Sequence, residues 1–244
     1  MAGRFNILYL YPEHMNLYGD RGNVLALSQR ACWRGIPTTV IRREPGEDAE
    51  WDAVDLVFMG GGEDSHQSRI ADDFLSLGPE LLPRLADGMP MLAICGAFQL
   101  LGQCYTTASG QKLPGLGVLD VWTEPGQGRA IGDVVTETTL PIQPATLVGF
   151  ENHGGRTYLG SSAKPLGKVR LGRGNNGADG WEGALQTRVV GTYLHGSLLP
   201  KNPHLADLLL SWALERQGLS QSLEPLAIDE EMSAHQAILA RARK

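Results

Sequence analysis

Three short apolar runs in this chain each stop at a glycine-bearing turn, and that recurrence constrains the fold more than any other feature. Val54–Met59 ends at Gly60–Gly61–Gly62, Met89–Ile94 at Cys95–Gly96, and Val189–Leu194 at His195–Gly196. Short runs of this composition, bounded by turn residues, fit strands buried on both faces of a parallel sheet. One helix over residues 89–104 would also account for the apolarity of the middle run. Asp87–Gly88 as a helix stop, Pro90 at a strand start and Gly96 in the would-be helix interior favour strand, turn and helix instead.

The flanking sequence extends the pattern. Asn6–Tyr11 reads as a first strand, followed by Pro12 and a polar loop ending in GDRGN. Val24–Trp33 has helical composition and is stopped by Gly35–Ile36–Pro37, and Thr38–Ile41 is a short β-branched strand. Leu75–Leu85 has helical spacing that Pro79 and Pro83 are expected to divide. After Gly102, short β-rich pieces alternate with Gly and Pro: Gly117–Trp122, Ile131–Thr136, Thr146–Phe150, Lys168–Leu171 and Trp181–Leu185. His204–Gln217 closes with a helix between Pro203 and Gly218. The expected class is α/β, a mostly parallel sheet flanked by helices with an antiparallel extension, binding ligands beyond the carboxyl ends of its strands. The expected division is one domain over residues 1–218 and a helical tail over 219–244, frayed at its ARARK end.

Composition excludes several classes. The 21 basic residues are scattered and outnumbered by 27 acidic ones, for a net charge of -6, which argues against nucleic acid as a partner. No stretch approaches the roughly eighteen apolar residues of a membrane span, so no membrane insertion is expected. The opening MAGRFNILYLYPEH lacks the form of a signal peptide. Three cysteines without a C-x-x-C pair suit a reducing cytoplasm and offer no thiolate zinc site.

A cysteine between a strand and a helix is exposed at the rim of the sheet, where the helix's free N–H groups favour thiolate. Cys95 is therefore the candidate nucleophile, while Cys32 and Cys104 are expected in the core. A cysteine nucleophile needs a base and an oxyanion site. His195 follows a strand and precedes glycine; His153, in FENHGGRT, competes for the role. His14 and His66 fall in loops that can approach a pocket, and His204 and His235 are expected at the surface. Gly60–Gly62 can aim backbone N–H groups at an oxyanion; Glu63 and Asp64, and the missing Gly–Lys–Ser/Thr ending, argue against phosphate binding.

Together ICGAFQLLG, YLHG and GGGED resemble the class I, or triad, glutamine amidotransferase family, in its cobyric-acid-synthase-like branch. LYGDRGN (17–23) and FENHGGRT (150–157) resemble more specifically the glutaminase subunits of lipid II isoglutaminyl synthases. The resemblance spans about residues 5–215 and implies a flavodoxin-like fold. It implies Cys95 as nucleophile and His195 as acid and base, with Gly96 and either Gly61 or Gly62 as oxyanion donors. It also implies Gln99 near the substrate, L-glutamine as that substrate, and no cofactor or metal. Arg129, in GQGRAIG, is a candidate for the substrate carboxylate, because a guanidinium grips a carboxylate bidentately. The family carries Glu two residues after the histidine, where this chain has Ser197. Asp20 is the candidate to orient the imidazole, with helix capping as its other reading and Glu63 and Glu151 as substitutes. The implied partner is a Mur-ligase-like, ATP-dependent synthase subunit in a heterodimer that receives the ammonia and amidates the D-glutamate of the lipid II stem peptide. A different acceptor such as cobyrinate, a catalytically silent interaction subunit, and a cysteine peptidase or hydrolase are the other expectations the motifs leave open.

Overall fold

The structure, a computed structural model, describes residues 4–219, 222–227 and 229–242. Its elements run β1 (Phe5–Leu10), α1 (Arg21–Trp33), β2 (Thr38–Arg43), β3 (Leu56–Met59), α2 (Asp64–Ser76), α3 (Gly78–Ala86), β4 (Met91–Ile94), α4 (Gly96–Leu101), β5 (Cys104–Thr106) and β6 (Lys112–Pro114). They continue as β7 (Val121–Thr138), β8 (Thr146–Leu159), β9 (Gly167–Leu171), β10 (Trp181–Glu182), β11 (Ala184–Gln186), β12 (Val189–Thr192), α5 (Pro203–Arg216) and α6 (Asp229–Arg241).

The first sheet has the order β11-β12-β4-β3-β1-β2, and only β11 runs antiparallel to its neighbour. Every residue of β3, β4 and β12 is buried, as expected of central parallel strands covered on both faces. The sheet order reverses around β1, with β2 on one side and β3 on the other, which opens a crevice at the carboxyl ends. The turns after β1, β3, β4 and β12 all lie at that end. The class and the mostly parallel core are as the sequence predicts.

The antiparallel extension is more continuous than its Gly- and Pro-broken sequence suggests. β7 pairs with β8 from Val121↔Leu159 to Glu137↔Thr146, with a register shift between Pro125 and Ala130 that absorbs the glycines. The two sheets meet where Phe150 of β8 and His195 exchange backbone hydrogen bonds.

Three other expectations are corrected. Residues 64–76 form a helix, α2, because Gln67, Ile70, Ala71 and Phe74 make one buried stripe. Cys32 is exposed and Cys104 half-buried: Val24, Leu27 and Ala31 occupy the inner face of α1, and Cys104 lies on the short strand β5. His235 is buried and His204 half-buried, because α6 folds back over the body. There His235 Nδ1 meets the Lys201 carbonyl at 2.9 Å and its Nε2 meets Thr146 Oγ1 at 2.9 Å. Arg30 bonds Glu231 at 2.7 Å in the same contact. The last two residues of the ARARK end lie outside the described residues.

Candidate active site

Cys95 stands between β4 and α4 with φ 50° and ψ -100°, a left-handed conformation that a non-glycine residue holds only under constraint. Its backbone N–H bonds Thr192 of β12, and its carbonyl accepts from Gln99 in α4, so both neighbours hold the turn. The residue is 8% exposed. Burial pushes its thiol up to about 12, with the Asp20 carboxylate adding to the effect. At rest the sulfur is therefore protonated, and the six-residue α4 does not make it a standing thiolate.

Gly61 is the meeting point. A Cβ built there would lie 3.1 Å from His195 Cε1, 3.3 Å from Cys95 Cβ and 3.4 Å from Asp20 Oδ2. Three side chains from turns far apart in sequence converge on one glycine that has none. His195 is fully buried, and that burial, with the nearby His153 and Arg129, pushes its imidazole down to about 3. With the thiol protonated and the imidazole neutral, the arrangement can serve a general base that takes a proton only as attack begins.

Asp20 makes no side-chain cap for α1; its Oδ2 instead accepts the Gly61 N–H at 2.7 Å. Burial pushes its carboxyl up to about 7. Gly61's N–H is taken by Asp20, which leaves Gly96, whose N–H bonds the Cys95 sulfur, and Gly62, which lines the same cavity, as the expected oxyanion donors. Ser197, in the position where the family carries Glu, donates to the Gly19 carbonyl at 2.7 Å. Leu199 N–H donates to Asn23 Oδ1 at 2.9 Å. LYGDRGN is thus packed against the loop that follows His195, which accounts for a motif that sequence alone could only match to relatives. The substitutes for Asp20 are otherwise placed: Glu151 accepts the N–H groups of Arg173 and Gly174, and Glu63 is exposed at the start of α2.

A cavity of about 550 Å³ opens over Cys95. It is lined by Gly62, Glu63, Asp64 and Gln67, by Gln99 and Tyr105, and by Arg129, Asn152, His153 and Gly155 of the β7–β8 hairpin. A larger groove of about 870 Å³ beside Trp51 and Arg84 touches none of these residues. Arg129 is held from behind: Nε donates to Asn152 Oδ1 at 2.7 Å and Nη2 to the Asn152 carbonyl at 2.8 Å. His153 stacks on Tyr193 with ring centroids 3.7 Å apart and bonds the Gly155 carbonyl through Nδ1, so it serves the wall of the cavity. Gln99 is buried, bonded to Tyr193 through Nε2 at 2.9 Å and to Gln67 through Oε1 at 3.0 Å. The buried Glu182, pushed up to about 7 by burial, accepts from Tyr193 N–H at 2.7 Å and Thr192 Oγ1 at 3.0 Å, fixing the end of β12 before His195.

Sequence reasoning missed Gln67, Asn152 and Tyr193. The available signal was a glutamine on the otherwise apolar stripe of α2, and α2 itself went unread. Among the described residues no His, Cys, Asp and Glu cluster is arranged to hold a metal ion, and no helix is long and apolar enough to cross a membrane.

A parallel α/β sheet that presents a strained cysteine and a strand-end histidine at its carboxyl rim has the arrangement expected of a cysteine-nucleophile enzyme. The chain belongs to the CobB/CobQ-like glutamine amidotransferase domain family, whose model matches residues 6–203. It is 42% identical over 240 residues to the lipid II isoglutaminyl synthase (glutamine-hydrolyzing) subunit GatD of Staphylococcus aureus, covering 98% of this chain and 96% of that one. The GatD subunit of Streptococcus pneumoniae is 40% identical over 215 residues, 88% of this chain and 82% of that one. A cobyric acid synthase of Pelotomaculum thermopropionicum is 38% identical over 149 residues, 56% of this chain and 28% of that protein. A solved glutamine amidotransferase from Thermotoga maritima shares the fold at TM-score 0.56 and 17% identity, covering 98% of this chain and 96% of its own.

Proposed function

We propose that this chain is the glutaminase subunit of a lipid II isoglutaminyl synthase, hydrolysing L-glutamine and delivering ammonia to a Mur-ligase-like, ATP-dependent partner in a heterodimer. The convergence of Cys95, His195 and Asp20 on Gly61 carries the chemical part of this reading. Likeness along nearly the whole length of two GatD subunits carries the choice of acceptor, the α-carboxyl of D-glutamate in the stem peptide. The cobyric acid synthase similarity covers about half of this chain, which places the cobyrinate alternative second.

In this reading His195 takes the thiol proton as the sulfur attacks the carboxamide carbon. The N–H groups of Gly62 and Gly96 stabilise the tetrahedral oxyanion. The C–N bond breaks, the proton passes from His195 to the departing nitrogen, and ammonia leaves a γ-glutamyl thioester. Water, deprotonated by His195, then attacks the thioester; glutamate departs and the proton returns to sulfur. Asp20 faces the imidazolium that forms transiently and latches the glycine loop through Gly61. Arg129, braced by Asn152, holds the substrate carboxylate across the cavity. No cofactor or metal enters this half-reaction. Residues 1–218 serve as the glutaminase unit and 219–244 as a tail that carries the helix Asp229–Arg241, and three free cysteines suit a reducing cytoplasm.

The test is Cys95→Ala in the full chain purified with its synthase. Glutamine-dependent amidation is expected to vanish while amidation driven by ammonium salt persists. Loss of both, or retention of the glutamine-driven rate, overturns the division of labour.

A further inference from the structure

We propose that Gln67 is the residue that recognises the –NH2 half of the substrate carboxamide, its Oε1 accepting a hydrogen bond from the amide nitrogen. This rests on the glutaminase reading above and adds to it a determinant that separates glutamine from glutamate.

Gln67 is 2% exposed, on the apolar stripe of α2. Its Nε2 donates to the Gly62 carbonyl at 3.1 Å and to Gln99 Oε1 at 3.0 Å. A backbone carbonyl can only accept, so the nitrogen must face Gly62, which settles the orientation of the amide. Gln99 cannot relax the arrangement, since its own Nε2 is bonded to Tyr193 Oη, and that oxygen to Thr157 Oγ1 at 2.6 Å. Gln67 Oε1 is thereby fixed, and among the described residues it has no hydrogen-bond partner.

A buried acceptor without a donor is rare and unfavourable, so its donor is expected from outside the protein. Gln67 and Cys95 line the same cavity. Its amide carbon lies 3.0 Å from where a Cβ on Gly96 would sit, against the residue that follows the nucleophile. A carboxamide whose carbonyl oxygen turns to the Gly62 and Gly96 N–H groups points its nitrogen away from them, and that nitrogen carries two donors. Glutamate, the product, has only acceptors on its γ-carboxylate. Set against Gln67 Oε1 it leaves that oxygen unsatisfied and adds repulsion, so the same atom that holds the substrate disfavours the product.

The experiment compares L-glutamine with the γ-methyl ester of L-glutamate, which keeps the carbonyl and the amino-acid head but has no amide N–H. Both yield glutamate, measured in one assay on the full chain purified with its synthase. In Gln67→Met the ratio of kcat/KM for amide to that for ester is expected to fall about tenfold, the loss typical of one directional hydrogen bond. In Gln67→Glu, which keeps an acceptor, the ratio is expected to stay within about threefold of wild type even where absolute rates fall. A purely structural role, anchoring the Gly62 loop, lowers both substrates together and leaves the ratio unmoved in either variant; that result overturns the proposal. If Gln67→Met does not fold, an unmoved glutamate inhibition constant in Gln67→Leu overturns it, and a tightened one supports it. A wild-type chain active on neither substrate refutes the glutaminase reading and this proposal with it. A wild type active on glutamine whose ratio ignores residue 67 refutes this proposal alone.

Discussion

Asp20→Asn tests whether the fold carries a buried charge for the sake of catalysis. The asparagine keeps an oxygen to accept the Gly61 N–H, so the glycine loop stays latched and only the charge is removed. A carboxyl held at about 7 by burial, against about 3.9 in an unfolded chain, binds its proton more tightly in the fold by about 4 kcal/mol at ~1.36 kcal/mol per pH unit. The native value is raised, so the folded state keeps a proton that the unfolded state has already lost between those two pH values. The contribution of Asp20 to stability is therefore full below about pH 4, is lost as pH rises towards about 7, and is level above that. Removing the carboxyl removes that slope. Denaturant unfolding at pH 4, 6 and 8 is expected to show the variant level with wild type at pH 4 and more stable at pH 8, by up to about 4 kcal/mol. Glu182 is also raised and slopes the same way in both proteins, so the difference between them isolates Asp20. Ammonia release is expected to fall about 100-fold at pH 8, from loss of the charge facing imidazolium. The acid limb near pH 7 in the wild-type kcat/KM profile is expected to flatten. A variant no more stable than wild type at pH 8 refutes the buried-charge account. A variant with near-normal turnover removes Asp20 from the site whatever its stability.

Two further substitutions probe the cavity walls. Gly155→Ala would put a methyl 2.5 Å from Gln99 Nε2 and 2.7 Å from Thr123 Cγ2. Displacing Gln99 is expected to raise KM for glutamine and lower the unfolding midpoint, with overpacking of about 1–3 kcal/mol read by thermal melting. Arg129→Met is expected to raise KM for glutamine by about 10- to 100-fold with kcat nearly kept, since it removes a binding charge from outside the reacting bonds. A KM that stays at the wild-type value would return Arg129 to the role of a solvated surface residue.

The parallel core was legible because its strands are buried on both faces, so short runs such as LVFM and MLAI announce themselves by composition alone. The turns that end them were legible for the same reason: a cysteine or histidine at the close of such a run has nowhere to go but the rim. What the sequence hid is what depends on pairing across distance. β7 reads as fragments because Pro125, Gly126 and Gly128 look like breaks, and only the register with β8 shows that one irregularity absorbs them all. Helix α2 hid behind the Gly60–Gly62 turn, which made His66 look like part of a loop, whereas Asp64 at the helix start ties the turn after β5 through Tyr105 Oη and Ala108 N–H. Thiol protonation was hidden as well. A helix N-terminus suggests thiolate, but α4 is too short and Cys95 too buried for that to prevail, and the excess of desolvation over dipole follows only from the packing of Met15, Gln67 and Gly61 around the elbow. The same convergence explains why Asp20 looked like a helix cap. Its sequence neighbours, Arg21 and Gly22, open a helix, while its carboxylate answers a glycine 41 residues away.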